Sequence, residues 1–452
     1  MISNYLSKTL KYGLGKFTNQ FLLFLLIPIL TKYLIPEEYA VYSLLLIFIS
    51  FASIIYFAGI HESLFSYFYD KKNNNYQFTL ITTIYITLIF IGIIFSLLII
   101  IFRYQISNLI FKTDLYANLF LAMSIIIFFD VIYGITLSLL NVMEKSSQYV
   151  YLSLSKNILL IILIIIGMIN RSINIEFVII SMLTSSFVAV IYSGYFLRRT
   201  LRNLASEISH KILFSFNKLK KILNFGLPMI PCSLSLIILL LSDRYMLNFL
   251  LKENTLYNIG IYAVGYKIGM AISFFTSIFF LIYYPYAMKV SDKSDSKNIY
   301  RNFYKYFILF GTFFGSIVIL FSFEIFSTLI DNAYLEGSRI VFFGVISHFL
   351  FGVFNTIIIV FYIKKKSIYL LLCSGSGALI NIILNFILIP KYGIYGAGWA
   401  SIIAYFTIVG FSFFAVQKTY YIGYRFSHIL FSILALLMFA FLNYILPQNL
   451  II

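Results

Sequence analysis

The sequence predicts an all-α protein that crosses a membrane many times. Of its 452 residues, 61% are hydrophobic and only 11% are charged, whereas soluble domains average about 45–50% and 25%. The mean hydropathy is +0.96. The apolar residues form continuous runs of about 20 or more, the length of a bilayer-spanning helix, and they lack the alternating pattern of membrane strands.

Thirteen apolar segments are long enough to cross the membrane. We predict spans at residues 12–34, 39–62, 78–102, 115–141, 149–169, 175–197, 222–250, 256–284, 303–330, 337–362, 367–389, 394–417 and 427–446. The longest polar intervals between spans, 198–221 and 285–302, are too short to hold a globular catalytic domain. We therefore expect the function to reside within the bilayer.

The Lys and Arg residues are distributed unequally between alternate joints. With the N-terminus in the cytoplasm, 23 of the 33 fall on the cytoplasmic side and three lie inside spans. The seven on the opposite side are Lys32, Arg103, Lys112, Arg171, Lys252, Arg339 and Lys391. Because basic joints are retained in the cytoplasm, this bias predicts a cytoplasmic N-terminus. Topology thus explains most of the net charge of +17, and no nucleic-acid partner is expected.

A basic interval divides the spans into two groups. Residues 198–221 contain seven Lys or Arg and one acid. Residues 32–42 and 252–262 join the first two spans of each group, and both end in a small residue, a β-branched residue and Tyr. Such similarity is expected of repeated lobes. We predict an N-terminal six-helix lobe (1–197), a basic cytoplasmic hinge (198–221), a C-terminal six-helix lobe (222–417) and an additional C-terminal helix (418–452).

Charged side chains also occur inside the predicted spans, where each costs about 2.5–3.5 kcal/mol on insertion. They are Asp130, Lys156, Asp243, Arg244, Lys267 and Glu324, with His61 and Glu62 closing the second span. One interpretation is that the three bases form a cationic track for an anionic substrate and that the acids and His61 couple an ion. The other is internal pairing. Asp130 would neutralise Lys156, and Asp243 or Glu324 would neutralise the remaining bases.

Two prolines, Pro228 and Pro231, remove backbone donors in the seventh span and predict a kink. This kink serves either as a moving gate or as a static bend. Asn381 and Asn385 are four residues apart, and we expect them to form interhelical hydrogen bonds. No catalytic motif is present, and the four histidines lie in different segments. We therefore expect no enzymatic activity, no metal and no cofactor.

Six short motifs follow one another along nearly the whole chain. They are residues 13–16 (GLGK), 26–39 (LIPILTKYLIPEEY), 225–231 (FGLPMIP), 242–245 (SDRY), 260–262 (GIY) and 392–401 (YGIYGAGWAS). In their order and spacing they resemble the polysaccharide transporter family, the Wzx-type flippases of lipid-linked oligosaccharides. That family belongs to the superfamily of the multidrug (MATE) exporters and the lipid II flippase.

The resemblance implies two six-helix lobes in a V around a central cavity, with alternating access. The count of thirteen spans adds one extra C-terminal helix and departs from the twelve or fourteen that are common in the family. The resemblance also implies a multi-pass protein of the bacterial inner membrane. Such a protein would move a polyprenyl-pyrophosphate-linked oligosaccharide, an O-antigen or capsule precursor, from the cytoplasmic to the periplasmic leaflet. On this resemblance Arg244, within the SDRY motif, contributes to the cavity or its gate. Lys156 and Lys267 are candidates from their chemistry alone.

The further expected partners are membrane lipid, H+ or Na+ as coupling ion, and a polysaccharide polymerase complex. Two alternatives remain open. The first is an ion-coupled drug or metabolite antiporter of the same superfamily. The second is an O-antigen polymerase or ligase, although such an enzyme would normally carry a long periplasmic loop.

Overall fold

The computed structural model describes residues 2–70, 73–206, 212–291, 293–364 and 366–445, which are helical with no strand among them. The helices, in chain order, are α1 (Ile2–Thr31), α2 (Pro36–Phe57), α3 (Ile60–Tyr67), α4 (Asn74–Ile101), α5 (Arg103–Phe111), α6 (Leu119–Val142), α7 (Ser146–Ile169), α8 (Ile175–Ala205), α9 (Phe216–Gly226), α10 (Ile230–Leu250), α11 (Thr255–Gly269), α12 (Ile272–Lys289), α13 (Ser296–Leu320), α14 (Ser322–Leu329), α15 (Val341–Ile363), α16 (Ser367–Thr419) and α17 (Phe426–Ile445). Two 3-10 segments, Leu227–Met229 and Asn332–Ile340, precede α10 and α15. The predicted all-α fold is confirmed.

Eleven described helices are long and apolar enough to cross a membrane, and the bent pair α11 and α12, at 40° to each other, makes a twelfth span. Helix α16 has 53 residues, about 80 Å at 1.5 Å per residue, which is more than two hydrocarbon cores of about 30 Å. Gly393 lies outside helical geometry near its centre, at φ 58° and ψ −133°. Counted as two spans, α16 brings the helices into correspondence with the thirteen predicted segments.

Two predicted spans end earlier than expected. Helix α2 stops at Phe57, because Ala58 and Gly59 adopt left-handed φ angles of 48° and 68°. His61 and Glu62 therefore belong to the short helix α3 rather than to the second span. Helix α13 stops at Leu320, and Phe321 leaves helical geometry before α14 begins. Glu324 consequently lies on α14, so its placement within a span was wrong.

The described helices form two compact units. Unit 1 contains the chain up to Leu23 and Leu44–Leu234, and unit 2 contains Phe24–Ser43 and the chain from Ser235 onward. Within unit 1, α6 packs against α4 and α8, and α7 packs against α8. The hydroxyls of Tyr85 and Thr136 join α4 to α6 at 2.7 Å. The four-part division predicted from the sequence stays a proposal.

Unit 2 is built around α15, which is almost entirely buried by α11, α13 and α16. Its packing depends on backbone contacts at glycines. A Cβ atom at Gly265 would lie 2.3 Å from the carbonyl oxygen of Gly337, and one at Gly269 would lie 2.4 Å from that of Val341. Small residues permit this close approach, which is how helices gain packing energy in lipid, where the hydrophobic effect gives no advantage.

The segment Phe24–Ser43 is held in unit 2 by the same kind of contact. A Cβ atom at Gly260 on α11 would lie 2.0 Å from the carbonyl oxygen of Pro36. Tyr334 donates a hydrogen bond of 2.6 Å to the carbonyl oxygen of Leu34. The glycine of the GIY motif thus allows α11 to meet the beginning of α2.

We predict that Gly260→Ala lowers the melting temperature of the purified protein by several degrees. The added methyl group would overlap backbone atoms of Pro36, which can move only if α2 and α11 separate. Overpacking of this kind costs about 1–3 kcal/mol. Gly410→Ala on α16 is the control, since nothing lies within 4 Å of a Cβ atom there. Equal melting temperatures for the two variants would contradict the contact.

Candidate functional site

The carboxylate of Asp243 on α10 is buried in unit 2, with an exposed fraction of 4%. Its Oδ1 accepts hydrogen bonds from Asn381 Nδ2 at 3.1 Å and Asn385 Nδ2 at 3.0 Å. Its Oδ2 accepts from Tyr262 Oη at 2.8 Å and from Ser401 Oγ. Four neutral donors therefore replace the water that an ionised carboxylate would otherwise hold.

These donors come from three places in the chain. Asn381 and Asn385 lie one helical turn apart on the first half of α16 and so face the same direction. Ser401 lies on the second half, beyond the break at Gly393. Tyr262 comes from α11. Ser242 completes the cluster by donating to Asn381 Oδ1 at 3.0 Å.

The base next to Asp243 in the chain makes no ion pair with it. Arg244 is 7% exposed, and its Nε atom has no acceptor among the described residues. Its guanidinium lies within electrostatic range of Lys267 and His348. Lys267 Nζ lies 6.0 Å from the ring centroid of Tyr42. Both bases belong to unit 2, and neither takes part in a described ion pair.

The expected pairing of Asp243 or Glu324 with Arg244 or Lys267 is not found among the described ion pairs. The physical reason is that neutral donors already saturate the Asp243 carboxylate. Glu324 lies at the start of α14, where its Oε2 atom is buried without a described hydrogen-bond partner. The two cations of unit 2 are therefore not neutralised by the acids predicted for them.

The remaining predicted base, Lys156 in unit 1, is paired. Its Nζ atom lies 2.5 Å from Asp130 Oδ1, which also accepts a hydrogen bond of 2.8 Å from Ser186 Oγ. The ammonium group also lies 5.3 Å from the ring centroid of Tyr133. The structure therefore contains the Asp130–Lys156 ion pair, which was one of the two interpretations of these charges.

The other predicted site residues lie at helix boundaries. His61 and Glu62 open α3, and the His61 ring contacts Phe57 and Phe65 at centroid distances of 6.1 and 5.3 Å. Burial lowers the pKa of His61, although Glu62 opposes the shift. Pro228 lies in the 3-10 segment Leu227–Met229, and Pro231 is the second residue of α10.

Sequence reasoning missed the cluster around Asp243. It treated Asn381 and Asn385 as general interhelical polar contacts, and it used Ser401 and Tyr262 only as parts of motifs. The available signal was that the GIY and YGIYGAGWAS motifs end in the hydroxyl-bearing residues Tyr262 and Ser401, while the SDRY motif contains the acid Asp243. Residues of such different sequence positions meet only when the helices pack.

The comparison of sequences identifies the family. Residues 5–291 match the family described as "Polysaccharide biosynthesis protein". The chain belongs to this family. No curated protein sequence matches the chain.

The fold of this chain recurs in solved structures. It is similar to "Lipid II flippase MurJ, inward closed conformation", with a TM-score of 0.70, 18% identity, and coverage of 96% of this chain and 97% of that one. It is also similar to an inward-facing "multidrug resistance MATE family transporter of the MOP superfamily", with a TM-score of 0.64, 14% identity, and coverage of 92% and 99%. At these identities the likeness establishes the fold.

We predict that Lys156→Met lowers thermal stability more than Asp130→Asn/Lys156→Met does. The single change leaves the half-buried Asp130 carboxylate with only the hydrogen bond from Ser186, and the lost hydrogen bond to a charged group is worth about 1.5–3 kcal/mol. The double change removes both charges. Melting temperatures of both variants in one detergent measure the difference. A double variant no more stable than the single one would show that the ion pair contributes little.

Proposed function

We propose that this protein is a flippase that moves a polyprenyl-pyrophosphate-linked oligosaccharide, an O-antigen or capsule precursor, between membrane leaflets by alternating access. The single observation that carries the proposal is that two bases of unit 2, the buried Arg244 and the half-buried Lys267, have no carboxylate partner among the described ion pairs. The family, and a fold shared with a lipid II flippase, support the same class of substrate.

The chemistry of the substrate fits this pair. A pyrophosphate must leave water to cross the bilayer, and charge-assisted hydrogen bonds from a guanidinium and an ammonium compensate for the lost hydration. The Nε atom of Arg244, buried without a described acceptor, is a donor available to a phosphate oxygen. The polyprenyl tail needs no such site, because it can remain in the lipid. Flipping breaks no covalent bond, so the proposal requires no catalytic residue.

The direction of transport follows from the proposed topology. The bias of the basic joints supports a cytoplasmic N-terminus, and in a bacterial inner membrane the precursor would be assembled on that cytoplasmic side. Transport would then proceed toward the periplasmic leaflet, where a polymerase complex would receive the product. The 3-10 segment at Pro228, followed by Pro231, interrupts regular helical hydrogen bonding at the start of α10 and supplies a hinge for the gate.

Asp243 is the residue we propose to couple transport to H+ or Na+. It is buried, and no Lys or Arg pairs with it among the described residues. The oxygen Oδ1 of Asn385, beside it, has no described partner. Because the oxygen and nitrogen of an amide are assigned from the hydrogen-bond network, rotation of Asn381 and Asn385 would turn further oxygens toward the carboxylate. Hard cations prefer such oxygen ligands.

An ion-coupled drug or metabolite antiporter is the second candidate. It is favoured by the likeness to multidrug MATE transporters in inward-facing and outward-facing conformations. The phenotype of a deletion strain separates the two functions. Loss of surface polysaccharide supports the flippase, and increased drug sensitivity with normal polysaccharide supports the antiporter.

We predict that Arg244→Ala and Lys267→Ala each reduce surface polysaccharide at least tenfold in a flippase-deleted strain, because each removes a cation that would stabilise the pyrophosphate. Lys252→Ala is the matched control, as this exposed base lies in the joint between α10 and α11. Immunoblots of membrane fractions establish equal insertion. Full display by both variants at normal abundance would refute the cationic site.

We predict that Na+ raises the melting temperature of the wild-type protein relative to choline, and that Asp243→Asn abolishes this increase. The substitution removes the negative charge while keeping the size of the side chain. Asp130→Asn is the control, because Asp130 is already paired with Lys156. If Na+ has no effect but Asp243→Asn still abolishes proton-driven transport in vesicles, H+ is the coupling ion. Normal transport by Asp243→Asn would exclude coupling of either Na+ or H+ through Asp243.

A further inference from the structure

A groove between α13 and α17 in unit 2 has no role in the proposed transport site. Its volume is about 800 Å³. Arg301, Lys305, Arg425 and His428 line one end of it, and no carboxylate is among its lining residues. Leu309, on its wall, is 63% exposed, and Phe431 is 70% exposed. The α13–α17 groove therefore joins a cationic end to an open apolar channel.

The cationic end is fixed in position by the surrounding structure. Tyr304 donates a hydrogen bond of 2.8 Å to the carbonyl oxygen of Arg425, and its ring lies 4.7 Å from that of Tyr424. Gln417 accepts from the backbone nitrogens of Ile422 and Gly423 at 3.1 and 3.2 Å. The segment that carries Arg425 is thus held by side chains on both neighbouring helices.

The cations themselves are available to a ligand. Arg301 donates a hydrogen bond to the side-chain oxygen Oδ1 of Asn298. The side-chain nitrogen Nδ2 of Asn298 donates in turn to Asp295 Oδ1 at 2.5 Å. No described ion pair involves Arg301, Lys305 or Arg425. Three positive charges without a carboxylate partner attract an anion, and the apolar walls beside them require that the anion carry hydrocarbon.

The length of the groove indicates which kind of amphiphile fits it. Its lining on α13 runs from Arg301 to Ser316, fifteen residue steps or about 22 Å. One leaflet, from headgroup to bilayer midplane, is about 20–22 Å deep. We propose that the α13–α17 groove binds one anionic phospholipid, with its phosphate between Arg301, Lys305 and Arg425 and its acyl chains along Leu309, Phe313 and Phe431.

This proposal is independent of the transported substrate. The lipid would remain bound and hold α13 to α17, as a ligand that binds only the folded state stabilises it. Basic sites at helix ends are a recognised way for membrane proteins to bind anionic headgroups.

The test uses the purified full chain in a neutral detergent. We expect dioleoylphosphatidylglycerol to raise its melting temperature by several degrees, and we expect dioleoylphosphatidylcholine and inorganic phosphate to have no such effect. The triple variant Arg301→Gln/Lys305→Gln/Arg425→Gln should lose the response. The control Lys289→Gln/Lys293→Gln/Lys418→Gln removes the same charge outside the groove and should retain it. Equal responses of the two variants, or of the wild type to both lipids, would overturn the proposal.

A second measurement applies if the triple variant does not fold. In a protein carrying Trp399→Phe and Phe431→Trp, the single tryptophan reports on the groove, because the wild-type chain contains only one tryptophan. Brominated phosphatidylglycerol should quench its fluorescence more strongly than brominated phosphatidylcholine at the same mole fraction. Equal quenching contradicts selective binding. If a polyprenyl pyrophosphate removes the quenching at far lower concentration than unbrominated phosphatidylglycerol does, the groove belongs to the transported substrate instead.

Discussion

The hydrogen bonds around Asp243 are the constraint on which the interior of unit 2 depends. A buried carboxylate without donors would cost several kcal/mol in an environment that supplies no water. Its four donors come from α11 and from both halves of α16, so α10 can be buried only if these helices keep their positions. The glycines of α11 permit this arrangement, because they let the backbone of α11 approach its neighbours closely enough for Tyr262 to reach Oδ2.

The saturation of Asp243 has a consequence for the neighbouring bases. With that carboxylate engaged by neutral groups, neither Arg244 nor Lys267 has a carboxylate partner among the described ion pairs. Unit 1 differs, since Lys156 pairs with Asp130, which also accepts a hydrogen bond from Ser186. The two units therefore differ in the partners of their intramembrane charges, and the anion site that we propose rests on the two bases of unit 2.

Part of the candidate site could be predicted from the sequence. A charged residue in an apolar run of 20 residues stands out whatever its partners are, so Asp243, Arg244, Lys267, Asp130 and Lys156 were all identified. The pairing of Asp130 with Lys156 was one of two interpretations that the sequence allowed, and only the structure decided between them, because the two residues lie on different helices. The partners of Asp243 could not be predicted, because they are uncharged and lie elsewhere in the chain. Glu324 was misplaced because an apolar run does not reveal the break at Phe321, where one helix ends and another begins.

The sequence by itself determined that the chain is a polytopic helical membrane protein and to which family it belongs. Hydrophobic length and motif order are local properties, and lipid admits few alternatives to a helix for each apolar run. The tertiary structure alone decided which charges are paired, that Phe24–Ser43 packs with unit 2, and that α13 and α17 enclose a groove with a cationic end. These outcomes depend on contacts between residues up to 300 positions apart, which no local pattern encodes.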